Sequence, residues 1–312
     1  MTQVLAIGNY TSTDRAALVD AFDAHVVAGP ADVAALDEGL REGITAVAYA
    51  GHHAFDGSVM DLLPQLGVIA NYGVGYDAIK VADANDRGIK VTNTPEVLND
   101  DVADLAIAMW LMQGREMRAA EARVRSGAWA KEGPAPLNRK LSGGRAGIMG
   151  LGRIGRDIAD RLAAFKMEIH YHARSEKETP GWTYHADPVD LAKAVDFLFV
   201  ALVGGPETVN YVSAEVIDAL GPDGVIVNIS RGSVIDEEAL LDALERRAIA
   251  GAGLDVFMGE PQVNPRFLTL ENVVLQPHQG SATVQTRAAM AQLQRDNVAA
   301  HLKGADLLTP VN

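Results

Sequence analysis

The stretch Ala146-Gly147-Ile148-Met149-Gly150-Leu151-Gly152-Arg153-Ile154-Gly155 decides the fold. Residues 146–149 read as a short buried strand. The glycines that follow read as a tight turn, and the pattern from 153 to 165 reads as an amphipathic helix, with another strand at 168–172. In that setting the G-x-G-x-x-G spacing has a physical meaning. Gly150 permits the turn, Gly152 lets a pyrophosphate approach the backbone, and Gly155 lets helix and strand pack closely. The helix start adds unpaired N–H groups and a partial positive charge. A ligand-free glycine turn is the plainer reading; the strands and helix around it favour a dinucleotide site.

Outward from this unit, short apolar runs alternate with helix-length amphipathic stretches along nearly the whole chain, the signature of βαβ units and parallel sheets. The early strand candidates are 4–8, 45–49, 68–72 and 90–93. The later ones are 146–149, 168–172, 197–202, 225–229, 253–256 and 273–275. The two groups meet at one long helix, 101–126. Its first half, residues 102–112, is apolar on almost every side, so it must be covered all round. A contact with a second subunit is favoured over a purely internal core helix. A last helix, 281–303, is long enough to return to the first group. The expected α/β fold is therefore two doubly wound, Rossmann-like parallel-sheet domains. Residues 1–98 with 283–312 form one, and residues 99–282 form the other as an insertion.

Composition narrows the partners. The chain has 312 residues, 48% of them hydrophobic, which suits two domains with sizeable cores. Its formal net charge of −14 repels phosphate backbones and anionic lipid, so nucleic acid and membranes are not expected partners. There is no cysteine, which removes disulfides, thiol nucleophiles and thiolate metal sites, and no metal site is read. The N-terminus reads as a strand rather than a signal peptide, and no apolar run approaches the ~20 residues of a membrane span. A cytoplasmic location is expected by elimination.

The end of the second strand of the glycine unit speaks to cofactor choice. An NAD site usually carries an acid about 20 residues beyond the glycines, bonded to the ribose 2′-OH. Here the strand end reads His172-Ala173-Arg174-Ser175-Glu176-Lys177, with no acid at that place. A guanidinium and a hydroxyl suit a 2′-phosphate, so NADP(H) is expected, with NAD(H) possible. Glu176 and Glu178 dilute the basic signal, and a plain solvated loop is the alternative.

Three later strand ends carry polar groups: Ser230-Arg231-Gly232 after 225–229, Asp255 within 253–256 with Glu260-Pro261 after it, and Pro277-His278 after 273–275. Together they suit reduction of a 2-oxoacid. His278 supplies a proton, Glu260 orients the ring and favours imidazolium, and Arg231 holds the carboxylate and polarises the carbonyl. Each also has a bland reading: a structural histidine, a turn, and an arginine before a helix that Asp236 caps. Gly73-Val74-Gly75 reads as an anion nest after a strand, or as a simple turn.

This set of motifs, in order and spacing, resembles the D-isomer-specific 2-hydroxyacid dehydrogenase family, nearest its glyoxylate/hydroxypyruvate reductase and 2-ketogluconate reductase branch. The likeness rests on Gly73-Val74-Gly75-Tyr76-Asp77, Thr94-Pro95, the glycine loop, Asn228-Ile229-Ser230-Arg231-Gly232, Gly253-Leu254-Asp255-Val256-Phe257, Glu260-Pro261 and Pro277-His278. It implies Arg231, Glu260 and His278 as the catalytic set. Val74 and Gly75 become the backbone donors to the substrate carboxylate, and Asp255 the acid near the nicotinamide amide. Leu202 and Val203 would line the nicotinamide ribose. Leu151, Arg153, Ile154, Ile229, Ser230, Arg231, His278 and Gly280 join the expected cofactor contacts, and His52, in the loop with His53 and Phe55, the substrate contacts. A substrate-binding, flavodoxin-like domain, an NAD(P)-binding domain, an active site in the cleft between them and a homodimer are implied as well. The implied activity is NADPH-dependent reduction of a small 2-oxoacid, glyoxylate or hydroxypyruvate first and 2-keto-D-gluconate second. A cofactor-gated interaction protein without activity is the rival reading, and the intact Arg, Glu and His set argues against it. Gln279 departs from the apolar residue many relatives carry; it either contacts a hydroxylated substrate or bonds to the backbone.

Overall fold

The structure, a computed structural model, describes residues 3–312 and divides into two compact units. The first comprises Met1–Leu98 and Thr283–Asn312; the second is Asn99–Ala282.

The first unit holds five parallel strands: β1 (Val4–Gly8), β2 (His25–Val27), β3 (Ala46–Ala50), β4 (Val68–Asn71) and β5 (Lys90–Thr92), in spatial order β2-β1-β3-β4-β5. Every strand but the edges is buried on both faces, which explains why they read as continuous apolar runs rather than alternating ones. Leu5, Ile7, Val47, Tyr49 and Ile69 build the core of one face, with Phe55 and Met60 packed among them. The smaller Val4, Ala6, Ala46, Ala48 and Ala70 face the other way, toward Leu18 and Val298. Small side chains there let the helices Ser12–Phe22 and Val284–Leu302 seat closely. The helix Val284–Leu302 lies on β3 and β4, so the last part of the chain completes the sheet made by the first. Residues beyond it pair with the edge of β5: Pro310 bridges Thr92, and Val311 donates its N–H to Val91 O.

The second unit holds seven parallel strands: β6 (Arg145–Met149), β7 (Glu168–His172), β8 (Thr183–His185), β9 (Phe197–Val200), β10 (Val225–Asn228), β11 (Gly251–Leu254) and β12 (Val273–Leu275). Their order, β12-β11-β10-β9-β6-β7-β8, reverses direction between β6 and β9, and ligands bind outside strand C-termini at such a switch. Trp110 is fully buried and meets Phe165, Phe197 and Phe199 edge to face, with ring centroids 5.2, 5.5 and 6.3 Å away. Each such pair contributes about 0.5–1.5 kcal/mol beyond its area.

Three expectations change. The single helix 101–126 is two, Asn99–Gly114 and Met117–Arg125, broken where Glu116 takes a left-handed φ of 45°. The apolar run on the first of them packs on the helix Arg153–Ala164 and on β10, β11 and β12 of its own unit, so it does not require a second subunit to cover it. The edge strands β2 and β8 were not expected; each has only three residues, partly exposed, and lacks an apolar run.

Candidate active site

The glycine turn joins β6 to the helix Arg153–Ala164 at the switch point. Gly150 has φ +102°, and a Cβ there would lie 2.8 Å from Ala201 O. A Cβ on Gly155 would lie 2.1 Å from Gly150 O, so the helix can approach the turn only with glycine at this place. Gly150 N–H donates to His172 O (2.9 Å), tying the turn to the end of β7. At Gly152 the surroundings are open: an added Cβ would meet nothing within 4 Å, and no side chain caps the helix that starts there. That is the cradle a pyrophosphate needs, with helix N–H groups facing it. The residues present therefore fit a dinucleotide. Leu202 lies over the turn, 3.1 Å from the Cβ position of Gly150, while Val203 beyond it is exposed.

At the far end of this region β7 stops at His172, and Arg174, Ser175 and Lys177 stand exposed on the loop that follows. The loop is pinned from below. Tyr171 Oη accepts from Lys177 N–H (2.8 Å) and donates to Lys177 O (3.0 Å), Tyr184 Oη donates to Ala173 O, and Arg156 donates to Glu178 O. Lys177 Nζ comes within 3.3 Å of Ser175 Oγ. An ammonium and a hydroxyl are thus gathered on the same short loop as a guanidinium, with no acid at the strand end itself.

On the other side of the turn, β10, β11 and β12 lie side by side and end in the three polar segments. After β10, Asn228 is buried and directs the chain. Its Oδ1 accepts from Ser230 N–H and Oγ (3.0 and 2.9 Å), and its Nδ2 donates to Arg231 O (3.0 Å). Ile229 and Ser230 are buried in this turn, and half-buried Arg231 donates from Nη1 to Ser230 O. Asp236 does cap the helix Glu237–Glu245, accepting from Ala239 N–H, so that structural role coexists with Arg231 beside it.

After β11, Asp255 is 1% exposed and binds the turn beyond β12. His278 N–H donates to Asp255 O, Gln279 N–H to Oδ1 (2.7 Å), and Gly280 N–H to Oδ2 (2.8 Å). Burial pushes this carboxyl above the usual carboxylate range, against the pull of the two amides. The clasp holds His278 at φ +51°, a left-handed conformation that a residue with a Cβ seldom adopts. It aims the ring at Glu260: Nδ1 and Oε2 are 2.6 Å apart, and both side chains are half-buried. Glu260 is itself fixed, because Oε1 accepts from Phe257 N–H (2.8 Å). An ionised Glu260 only accepts, so Nδ1 carries the proton of this bond.

The Arg231 turn abuts the same segment: a Cβ on Gly232 would sit 2.0 Å from Phe257 C. Arg231, Glu260 and His278 are therefore supports of one local assembly. Sequence reasoning assigned no role to Asn228, whose strand-terminal position two residues before Ser230 is the only signal for it. Of the two readings left open for Gln279, the backbone bond is not the one its Nε2 makes: it donates to Gln276 Oε1.

In the first unit, Val74 and Gly75 lie half-buried in the loop after β4, and His52 is exposed two residues after β3. No described helix is long and apolar enough to cross a membrane.

A sequence profile described as D-isomer specific 2-hydroxyacid dehydrogenase, NAD binding domain, matches residues 107–280. The chain is 47% identical over 270 residues to hydroxyphenylpyruvate reductase of Plectranthus scutellarioides, covering 86% of each chain. It is 46% identical over 277 residues to 2-ketogluconate reductase of Gluconobacter oxydans, covering 87% of each. Among solved structures, the NADPH-dependent glyoxylate/hydroxypyruvate reductase of Sinorhizobium meliloti, in complex with NADP and malonate, superposes with a TM-score of 0.94 at 42% identity. That match covers 100% of this chain and 97% of the other. With its parallel sheets, glycine cradle and Arg–Glu–His strand ends, the chain belongs to the D-isomer-specific 2-hydroxyacid dehydrogenases, NAD(P)-dependent oxidoreductases acting on the CH–OH group.

Proposed function

We propose that the protein is an NADPH-preferring 2-oxoacid reductase, with glyoxylate and hydroxypyruvate as leading substrates. The observation that carries this reading is the 2.6 Å His278–Glu260 pair on the sheet that also holds the glycine cradle. When bound, the nicotinamide supplies the hydride for C2 of the oxoacid. His278 then holds at Nε2 the proton needed by the oxygen that becomes the alcohol, and Glu260 stabilises the imidazolium before transfer. Arg231 polarises the carbonyl and pairs with the carboxylate, to which the Val74 and Gly75 amides also donate. Asp255 keeps the His278 turn in place and would lie near the nicotinamide amide. The Gluconobacter relative keeps 2-keto-D-gluconate as the second substrate, and the Gln276–Gln279 amide pair beside His278 offers polar groups to a hydroxylated chain.

A panel of these oxoacids with NADPH and NADH tests the proposal. We expect kcat/KM to be at least about tenfold higher with NADPH, on the strength of one charge-assisted contact set to the 2′-phosphate. Arg174→Ala should remove about tenfold of that preference while leaving NADH kinetics nearly as they were. An NADH preference in the parent protein overturns the cofactor assignment. Tight cofactor binding without turnover of any oxoacid favours the interaction-protein reading.

A homodimer is part of the same proposal. Met117, Val124, Trp129 and Leu137 are exposed along the segment after the Glu116 break, and Leu137 is 100% exposed. Apolar groups left exposed in this way suit a partner surface. Light scattering should give twice the chain mass, and Trp129→Asp should shift the equilibrium toward monomer. A monomeric parent protein at micromolar concentration rejects the dimer.

A further inference from the structure

We propose that Asn71 and Asn93 are positioning residues for the carboxylate site at residues 73–75, fixing its peptide planes so that the backbone N–H groups present themselves to an anion. This rests on the assignment of Val74 and Gly75 as carboxylate donors.

The two asparagines end neighbouring strands. Asn71 is the last residue of β4 and Asn93 follows β5; they are 4% and 8% exposed. From Nδ2, Asn71 donates to both Gly73 O and Gly75 O, each at 3.0 Å. Asn93 Nδ2 donates to the carbonyl between them, Val74 O, at 2.9 Å. Thr94 adds a reciprocal pair, its N–H to Gly73 O and its Oγ1 accepting from Gly73 N–H, both at 3.0 Å.

Three consecutive carbonyls are therefore held by side-chain amides. A trans peptide is planar, with its N–H opposite its C=O, so holding those oxygens sets the directions of the Val74, Gly75 and Tyr76 N–H groups. Among the described residues none accepts from these three donors. Successive backbone N–H groups offered in this way form an anion-binding concavity. The clamp must be an amide: a carboxylate of the same shape cannot donate to a carbonyl, and it would bring negative charge toward an anion site.

The clamp is itself anchored. Thr309 Oγ1 donates to Asn93 O (2.6 Å), and Asn297, fully buried on the helix Val284–Leu302, donates to Thr309 Oγ1 (3.0 Å). Asn93 is thus held between the nest and the returning C-terminal segment.

A structural role and a positioning role differ in what they do to a charged and an uncharged substrate. The experiment compares glyoxylate with methyl glyoxylate, which has the same carbonyl and no carboxylate, using NADPH and the full chain. For Asn93→Ala we expect KM for glyoxylate to rise about tenfold while kcat changes by no more than about threefold. KM for NADPH and for the ester should stay near parent values, so the preference for the acid over the ester falls about tenfold. Asn93→Asp should lose more, and Asn71→Ala should repeat the pattern. Asn93→Ser, which keeps a donor in the event that the alanine variant fails to fold, should lose only part of the preference. Equal losses for acid and ester, or an unchanged preference in folded variants, overturn the positioning role while leaving the oxoacid reductase standing. A parent protein that does not reduce glyoxylate removes both.

Discussion

Replacing His278 by alanine is expected to lower kcat by about a hundredfold or more and to leave the affinity for NADPH nearly intact. General acid help is worth about 10² to 10⁴ in rate, and His278 is the group proposed to give it. Its ring is held by Glu260 at 2.6 Å and its backbone by Asp255, so the imidazole is pre-aimed rather than searching. The glycine cradle lies on β6 and its helix, well along the sheet from β12, so cofactor binding should not register the loss. Single-turnover kinetics with fluorescence titration of NADPH separate the two quantities. Turnover within about threefold of the parent takes His278 out of the acid role. Glu260→Gln should show a smaller loss, because the amide can still accept from Nδ1–H but no longer balances a positive ring.

Gly232→Ala is expected to cost about a hundredfold in kcat/KM although the glycine has no chemistry of its own. The added methyl would stand 2.0 Å from Phe257 C, 2.2 Å from Phe257 O and 2.4 Å from Met258 N, all backbone atoms that no rotamer change can move. Carbon atoms settle at about 3.5–4.0 Å, so the Arg231 turn must withdraw by roughly 1 Å or more from the segment that carries Glu260. A misplacement of that size is enough to cost about 10²-fold. The overpacking should also lower stability by about 1–3 kcal/mol. Steady-state kinetics beside thermal unfolding check both, measured well below the melting temperature so that the folded fraction is equal. A variant that unfolds earlier yet retains parent kcat/KM would show that Arg231 tolerates the shift, and would count against its contact with the substrate.

Much of this was readable before any coordinates. Long buried strands declare themselves through unbroken apolar runs, and the glycine turn through its setting between strand and helix. The proposed catalytic set stood out because arginine, glutamate and histidine each stand past a strand, where a parallel sheet delivers side chains to its ligand face. What escaped has physical reasons. Strands β2 and β8 are three-residue edges whose pairing is decided by neighbours far along the chain. The break at Glu116 follows Gly114, a residue that often ends a helix, but strong helix formers on both sides concealed it. Asn71, Asn93 and Asn228 act through the carbonyls they hold, and nothing in an asparagine's local sequence says which carbonyl it will reach. Gln279 was undecided for the same reason: its partner, Gln276, became evident only in three dimensions.

The way the first unit is assembled has a consequence for biosynthesis. Its sheet is begun by the opening residues, yet the helix that covers β3 and β4 and the segment that pairs with β5 come from Thr283–Asn312. The second unit is continuous in sequence and complete by Ala282. On a ribosome, which releases the chain from its N-terminus, the nascent second unit can close while the first still exposes the apolar face of Ala46, Ala48, Val68 and Ala70. The strands made before the second unit are thus shielded after it, and ribosome stalling before about residue 283 would leave that face open to chaperones or to aggregation.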